Sequence, residues 1–168
     1  VHENQGFIFL EFEPIDPNYT NDFITFYNIT KKVVDQMQSS ANLQELSDII
    51  VKNIRQITGF DRVMVYRFDD DGSGNVIAED KQDSLQSFYG LRYPATDVPE
   101  PARRLYKLNY VRLIPTVDYQ WVTLNNHPLN NQPFDLSFCN LRSVSPIHVE
   151  YLRNMGVQAS MSISLMKD

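Results

Sequence analysis

Cysteine is almost absent: Cys139 stands alone among 168 residues. One thiol excludes an internal disulfide framework and any zinc site built on several cysteines. Histidine is nearly as scarce, with His2, His127 and His148 scattered along the chain, so no metal site is expected. No apolar run approaches the roughly 18–20 residues that cross a bilayer. No signal peptide precedes Gly6-Phe7-Ile8-Phe9-Leu10, and a cytoplasmic protein without a membrane role is expected. Positive charge is in deficit, with a net charge of −6, which argues against nucleic acid as the main partner. The chain also lacks a P-loop, a Rossmann glycine pattern, a G-x-S-x-G elbow and any internal repeat.

What is present is apolar and aromatic. Apolar residues make up 42% and charged residues 21%, enough for a packed core and too little charge for global disorder. The length suits one domain, or one domain with a piece of a neighbour. Aromatics reach 12%, which in an acidic domain points to a large core or to a pocket for a large flat ligand.

Residues Gly6 to Glu13 read as one strand stopped by Pro14 and Pro17. Residues 1–14 therefore look like the last strand of a preceding domain, and 15–21 like a linker. From Asp22 the pattern turns helical, with Phe23, Phe26, Tyr27, Thr30, Val33, Val34 and Met37 on one face. A second helix starts at Asn42, with Glu45 as a capping-box partner, a stripe of Leu43, Leu46, Ile50, Ile54 and Ile57, and Gly59 as its end. Phe60 to Phe68 alternates and, with Val63 and Val65 apolar on the second face, predicts a central strand. A turn at 69–74 returns it as the strand Asn75 to Glu79. Residues 81–141 hold one short helix, Pro99 to Leu108, and a strand, Tyr110 to Ile114, in a stretch broken by six prolines. Such a long insertion is usually functional. Ser145 then caps a helix with Pro146 at its first position and Gly156 at its end, and Val157 to Leu165 alternates as the last strand. The fold class is α+β, an antiparallel sheet flanked by helices, with further strands expected after residue 168.

Catalytic patterns are weak. Asp69, Asp70 and Asp71 lack the closing Glu of a calcium loop. A triad from Ser145, His148 and Asp97 has no motif behind it, so no catalytic residue is expected. Binding chemistry is better supported. Arg112 lies among apolar neighbours, and Arg142 lies just before the Ser145-Pro146 helix start. Two arginines beside a helix start and a run of serines fit a carboxylate or phosphate. Singly, each arginine reads better as a surface residue or as part of an internal ion pair. Ser160, Ser162 and Ser164 equally fit the outer face of an edge strand. His148 shares a helix side with Tyr151, and Tyr66, Tyr93 and Tyr106 border the insertion. Together they describe an elongated aromatic pocket with anionic ends held by arginine and serine.

Three stretches are more specific: Ile57-Thr58-Gly59-Phe60-Asp61-Arg62-Val63-Met64-Val65-Tyr66-Arg67-Phe68-Asp69, then Leu91-Arg92-Tyr93-Pro94-Ala95-Thr96-Asp97-Val98-Pro99, then Leu141-Arg142-Ser143-Val144-Ser145-Pro146-Ile147-His148 continuing to Gly156-Val157. In order and spacing they closely resemble the chromophore-binding GAF domain of phytochromes, from about residue 22 to the end. Residues 1–14 resemble the end of the PAS domain that precedes it.

The resemblance implies a GAF fold with a six-stranded antiparallel sheet. It implies a red/far-red photoreceptor module whose bilin photoisomerises and signals to an output domain outside the segment, such as a histidine kinase. Neighbouring PAS and PHY-type domains and a homodimer are implied as well. Position by position, Asp97 would offer its backbone carbonyl to the pyrrole nitrogens and its carboxylate to a neighbouring tongue. His148 would contact the pyrrole water and the D ring. Arg112, Arg142 and Ser145 would hold one propionate, and Ser160 and Ser162 the other. Tyr66, Tyr93 and Tyr151 would enclose the ring that rotates, with Tyr106 also lining the pocket. The attachment cysteine of plant phytochromes is Ile147 here, as in bacteriophytochrome-type members. Biliverdin, with no covalent bond inside residues 1–168, is therefore the expected cofactor. The alternative is a GAF domain that binds no chromophore and acts as a structural or dimerisation module.

Overall fold

The computed structural model describes residues 1–14, 23–125 and 134–166. The expected linker at 15–21 lies outside them. The chain forms two compact units, one of Val1–Ile15 with Pro101–Asp168 and one of Asp16–Glu100.

In the second unit, helix α1 (Phe23–Gln38) is followed by α2 (Leu43–Thr58). The start of α2 is capped as expected: the Asn42 side chain accepts from Glu45 N at 2.9 Å. The Glu45 carboxylate reaches back to Ala41 N at 2.8 Å, one residue earlier than in a capping box. Gly59 ends the helix at φ 71° and donates to Arg55 O, the left-handed position that favours glycine. The buried positions of α2 are Ser47 and Val51, while Leu43 and Ile57 are exposed. Leu46, Ile50 and Ile54 of the expected stripe are half-buried, and Ser47 is buried beside them because its hydroxyl donates to Leu43 O at 2.7 Å and needs no partner from outside the helix. On α1 only Val33 is buried, and Phe23, Phe26 and Tyr27 are exposed.

Strand β3 (Arg62–Phe68) pairs antiparallel with β4 (Gly74–Lys81), and β4 pairs with β5 (Arg92–Tyr93). The centre of this sheet is therefore β4, with Val76 and Ala78 fully buried. The expected central strand, β3, lies at its edge among the described residues. One side of β3 carries half-buried Val63 and Val65, while on the other Arg62 meets the loop after β4 and Met64 is exposed. A bulge at Val65/Tyr66 shifts the register, so Tyr66 faces Val76 and Phe68 faces Gly74.

In the first unit, β1 (His2–Asn4) and β2 (Phe7–Phe9) form a hairpin. The expected single strand to Glu13 is interrupted here. Gln5 and Gly6, at φ 52° and 79°, make the two-residue turn with both residues left-handed that suits a twisted hairpin. Helix α3 (Glu100–Leu108) leads to β6 (Val111–Ile114), and α4 (Pro146–Asn154) leads to β7 (Ser160–Ile163). The last strand is half the expected length, since only these four residues find partners on the short β6. The core of this unit is Ile114, Val117, Val149 and Leu152, flanked by Tyr119, Val144 and Val157. Among the described residues the three sheets are antiparallel, with two, three and two strands, where the resemblance implies a six-stranded sheet.

Candidate functional site

Strands β6 and β7 place Arg112 directly opposite Ser162 and Ile114 opposite Ser160. Cross-strand partners share a face, so Arg112, Ser160 and Ser162 stand on the side where Ile114 meets the Val149 and Leu152 side chains of α4. The serine row is half-buried, and Val111, Leu113 and Ile163 on the other face are exposed. This inverts the usual outward-polar pattern and removes the reading of the serines as a solvated outer face. Ser164 continues the row and donates to Tyr106 O at 2.8 Å.

Helix α4 carries the imidazole. With Val149 and Leu152 in the core, His148 and Tyr151 project from a neighbouring side and stack, ring centroids 6.5 Å apart and 12° from parallel. Burial, and then the charge of Arg112, push the His148 pKa below its ordinary value. Ser145 precedes the helix, is exposed and makes no capping bond. It is therefore available to a ligand.

Arg142 lies in the same electrostatic field. Burial first, and Arg112 second, lower its pKa. Its Nη1 donates to Cys139 O, but its Nη2 is buried with no hydrogen-bond partner among the described residues. The Arg112 guanidinium sits over the Tyr106 ring, 5.7 Å from its centroid, a cation–π contact. Two guanidiniums that repel each other beside a neutral imidazole and three hydroxyls make a site for an anion. A carboxylate would satisfy Nη2 and cancel the repulsion.

Tyr119 is a supporting residue that periodicity does not mark. Its hydroxyl accepts from Val144 N at 2.7 Å and donates to Val144 O at 3.3 Å, which fixes the chain between Arg142 and Ser145. Cys139 is another, through its carbonyl on Arg142. Its thiol is 6% exposed, lies 3.7 Å from His2 Nε2, and is pushed above its ordinary pKa by burial and then by Glu11.

The other unit holds Tyr66, Tyr93 and Asp97. Tyr66 and Tyr93 lie 6.0 Å apart, and Phe68 packs edge-on to Tyr66 at 5.0 Å. Asp97 is exposed in a turn closed by Asp97 N to Pro94 O at 3.1 Å. Gly74, which reads in sequence as a turn glycine, proves to be a close-approach glycine: a Cβ there would lie 2.5 Å from Tyr66 Cζ and 2.7 Å from its Oη. A groove of about 600 Å³ between α1 and α2 is lined by Gln36, Asn42, Asp48 and Asn53 among others, with none of the expected site residues in it.

The GAF domain family profile matches residues 42–168. The chain belongs to the GAF family. This GAF domain is 50% identical over 170 residues to cyanobacterial phytochrome B of Nostoc sp., covering 100% of this chain and 23% of that protein. It is 45% identical over 169 residues to a bacteriophytochrome of Pseudomonas aeruginosa, covering 98% and 23%. The chain thus spans under a quarter of the length of either relative. Among solved structures, the chromophore-binding domain of Stigmatella aurantiaca phytochrome P1 superposes with a TM-score of 0.87 at 48% identity, over 93% of this chain and 52% of that one. The fold is that of the GAF domain in phytochrome chromophore-binding domains. No helix among the described residues is long and apolar enough to cross a membrane.

Proposed function

We propose that this GAF domain holds a linear tetrapyrrole and serves as the light-sensing part of a red/far-red photoreceptor. The observation that carries the reading is the buried Nη2 of Arg142, without a hydrogen-bond partner among the described residues, in the field of Arg112. A bilin is long, flat and apolar with two carboxylates, so it asks for aromatic walls and guanidinium–hydroxyl clamps. In this reading Arg112, Arg142 and Ser145 hold one propionate, and Ser160 and Ser162 the other. Tyr106 steadies Arg112. His148, kept neutral, presents one donor and one acceptor nitrogen to the pyrrole water and the D ring. Tyr66, Tyr93 and Tyr151 wall the ring that turns, and Asp97 offers its carbonyl to the pyrrole nitrogens and its carboxylate to a neighbouring segment. When bound, the pigment supplies light absorption and double-bond isomerisation.

Biliverdin is the pigment proposed, held without a covalent bond in this segment. Ile147 brings no nucleophile, and the Cys139 thiol is buried with its pKa raised, the state of an inert cysteine. Residues 1–14 are read as the end of a PAS domain, 15–21 as a linker and 22–168 as the GAF domain. A PHY-type domain and a signalling output, such as a histidine kinase, would follow elsewhere in a cytoplasmic protein. The segment itself is read as non-catalytic. The exposed Phe23, Ile24, Phe26 and Tyr27 of α1 support a homodimer. They are also the observation that favours the second reading, a pigment-free dimerisation module.

Colour separates the two. Expressed within its full protein beside a bilin-producing enzyme, the segment should give a blue-green product with a long-wavelength band that changes under red light. A colourless, folded product would overturn the photoreceptor reading and leave the dimerisation module.

A further inference from the structure

Glu79, in the same unit as Tyr66 and Tyr93, closes a knot of interactions that no part of the pigment clamp uses. Its position on β4 faces Met64 of β3, on the side of the sheet shared with Arg62 and away from Val63 and Val65. The side chain is 3% exposed. One carboxylate oxygen accepts from Ser87 Oγ at 2.6 Å, Phe88 N at 3.0 Å and Tyr89 N at 3.3 Å. The other lies 3.1 Å from Phe88 N and 3.3 Å from Arg62 Nε. The Arg62 guanidinium lies flat over the Phe88 ring, 3.7 Å from its centroid, and donates to Gln86 O. A buried carboxylate and a half-buried guanidinium thereby tie down residues 86–89, which have no strand or helix of their own.

The loop so tied ends in the aromatic wall. Leu91 N donates to Phe88 O at 3.0 Å, Gly90 N to Val76 O at 2.9 Å, and Val76 N to Leu91 O at 3.1 Å. The chain then enters β5, where Tyr93 faces Gly74, the residue on which the Tyr66 ring rests. The two-residue strand β5 has little ladder of its own to set its register. The Gly90 and Leu91 bonds to Val76, the Arg92 bond to Asp69 at 2.6 Å and the path of the loop together place it.

We propose that Glu79 is a positioning residue: by gathering the Ser87–Tyr89 turn onto Arg62 it sets the placement of Tyr93, and through Tyr93 that of Tyr66. Burial opposes ionisation of Glu79, but the Ser87 hydroxyl, the Phe88 and Tyr89 amides and Arg62 outweigh it and hold its pKa below the ordinary value. The group is therefore an anion at neutral pH. Glutamine, with one acceptor oxygen and no charge, cannot hold the same donors.

The test labels the full chain with 3-fluorotyrosine and assigns Tyr66 and Tyr93 by fluorine NMR of Tyr→Phe variants. Glu79→Gln should move both resonances by more than a line width while Tyr27 and Tyr119 stay in place. Unmoved Tyr66 and Tyr93 signals in the folded variant would overturn the proposal. Where Glu79→Gln does not fold, Ser87→Ala, which removes one bond only, is read in the same way: a shift of Tyr93 supports the proposal and no shift overturns it. The consequence for the pigment rests on the photoreceptor reading: Glu79→Gln in the full protein should keep bilin uptake and change the light-driven difference spectrum. A shifted Tyr93 in a protein that takes up no bilin would sink the photoreceptor reading and leave this one standing.

Discussion

Replacing Gly74 by alanine tests whether the Tyr66 ring is held against the backbone of β4. The added Cβ would stand 2.5 Å from Tyr66 Cζ and 2.7 Å from Oη, about 1 Å inside ordinary carbon contact distances of roughly 3.5–4 Å. The ring cannot simply swing away, since Phe68 and Tyr93 pack against it at 5.0 and 6.0 Å. Overpacking of this kind costs about 1–3 kcal/mol. Gly74 is absent from the positive-φ glycines, so alanine adopts the backbone without strain and returns about 0.4–1 kcal/mol by restricting the unfolded chain. The net is a destabilisation of about 1–2 kcal/mol, or a melting point lower by very roughly 2–8 °C for a domain of this size. The assay is thermal or urea unfolding of Gly74→Ala alone and combined with Tyr66→Ala. If the cost is the ring, the double variant shows a coupling of about 1 kcal/mol or more. Equal losses with and without the ring would refute the reasoning and place the cost in the strand itself.

Four other outcomes follow from the same geometry. Arg142→Ala should weaken bilin uptake by about 1.5–3 kcal/mol, the worth of a hydrogen bond to a charged group, and a titration with unchanged affinity would return Arg142 to a structural role. His148 has its pKa pushed below 6.5 by burial and then by Arg112, so the unfolded chain takes up the proton first. The stability of the pigment-free protein is therefore full above pH 6.5 and falls as pH drops from there through the folded-state value. Arg112→Ala removes one of the two causes and should raise the His148 titration midpoint measured by NMR; an unmoved midpoint would remove the repulsion. Acid denaturation of pigmented protein should release all bilin, and a mass increase of one bilin on the peptide holding Cys139 would show that the buried thiol is an attachment site after all.

Much of this domain is legible along the chain because its signals act over a few residues. Asn42, Glu45 and Gly59 bound α2 by satisfying its own end groups; Pro146 opens α4 because it has no N–H to leave unpaired, and Gly156, at φ 71°, follows its end and donates to Arg153 O. The three motifs that carry the resemblance contain Tyr66, Tyr93, Asp97, Arg142, Ser145, His148 and Tyr151, whereas Arg112 and Tyr106 lie outside them. What distance along the chain conceals is how strands meet. That Gln5 and Gly6 break the first strand into a hairpin, that β4 rather than β3 is central, and that Ser160 and Ser162 stand on the inner face with Arg112 all depend on pairing across tens of residues. Alternation gives two faces and does not say which is covered. Ser162 is turned inward because it pairs opposite Arg112 on the face where α4 packs. The role of Gly74 was hidden for the same reason. Beside Asp69, Asp70, Asp71 and Gly72 it has the composition of a turn, and only the bulge at Val65/Tyr66 brings a ring down on it. The burial of Arg142 Nη2 without a hydrogen-bond partner among the described residues is a tertiary fact as well: an arginine is ordinary in sequence, and what marks this one is burial with a second guanidinium beside it, whose repulsion outweighs the attraction of Glu11.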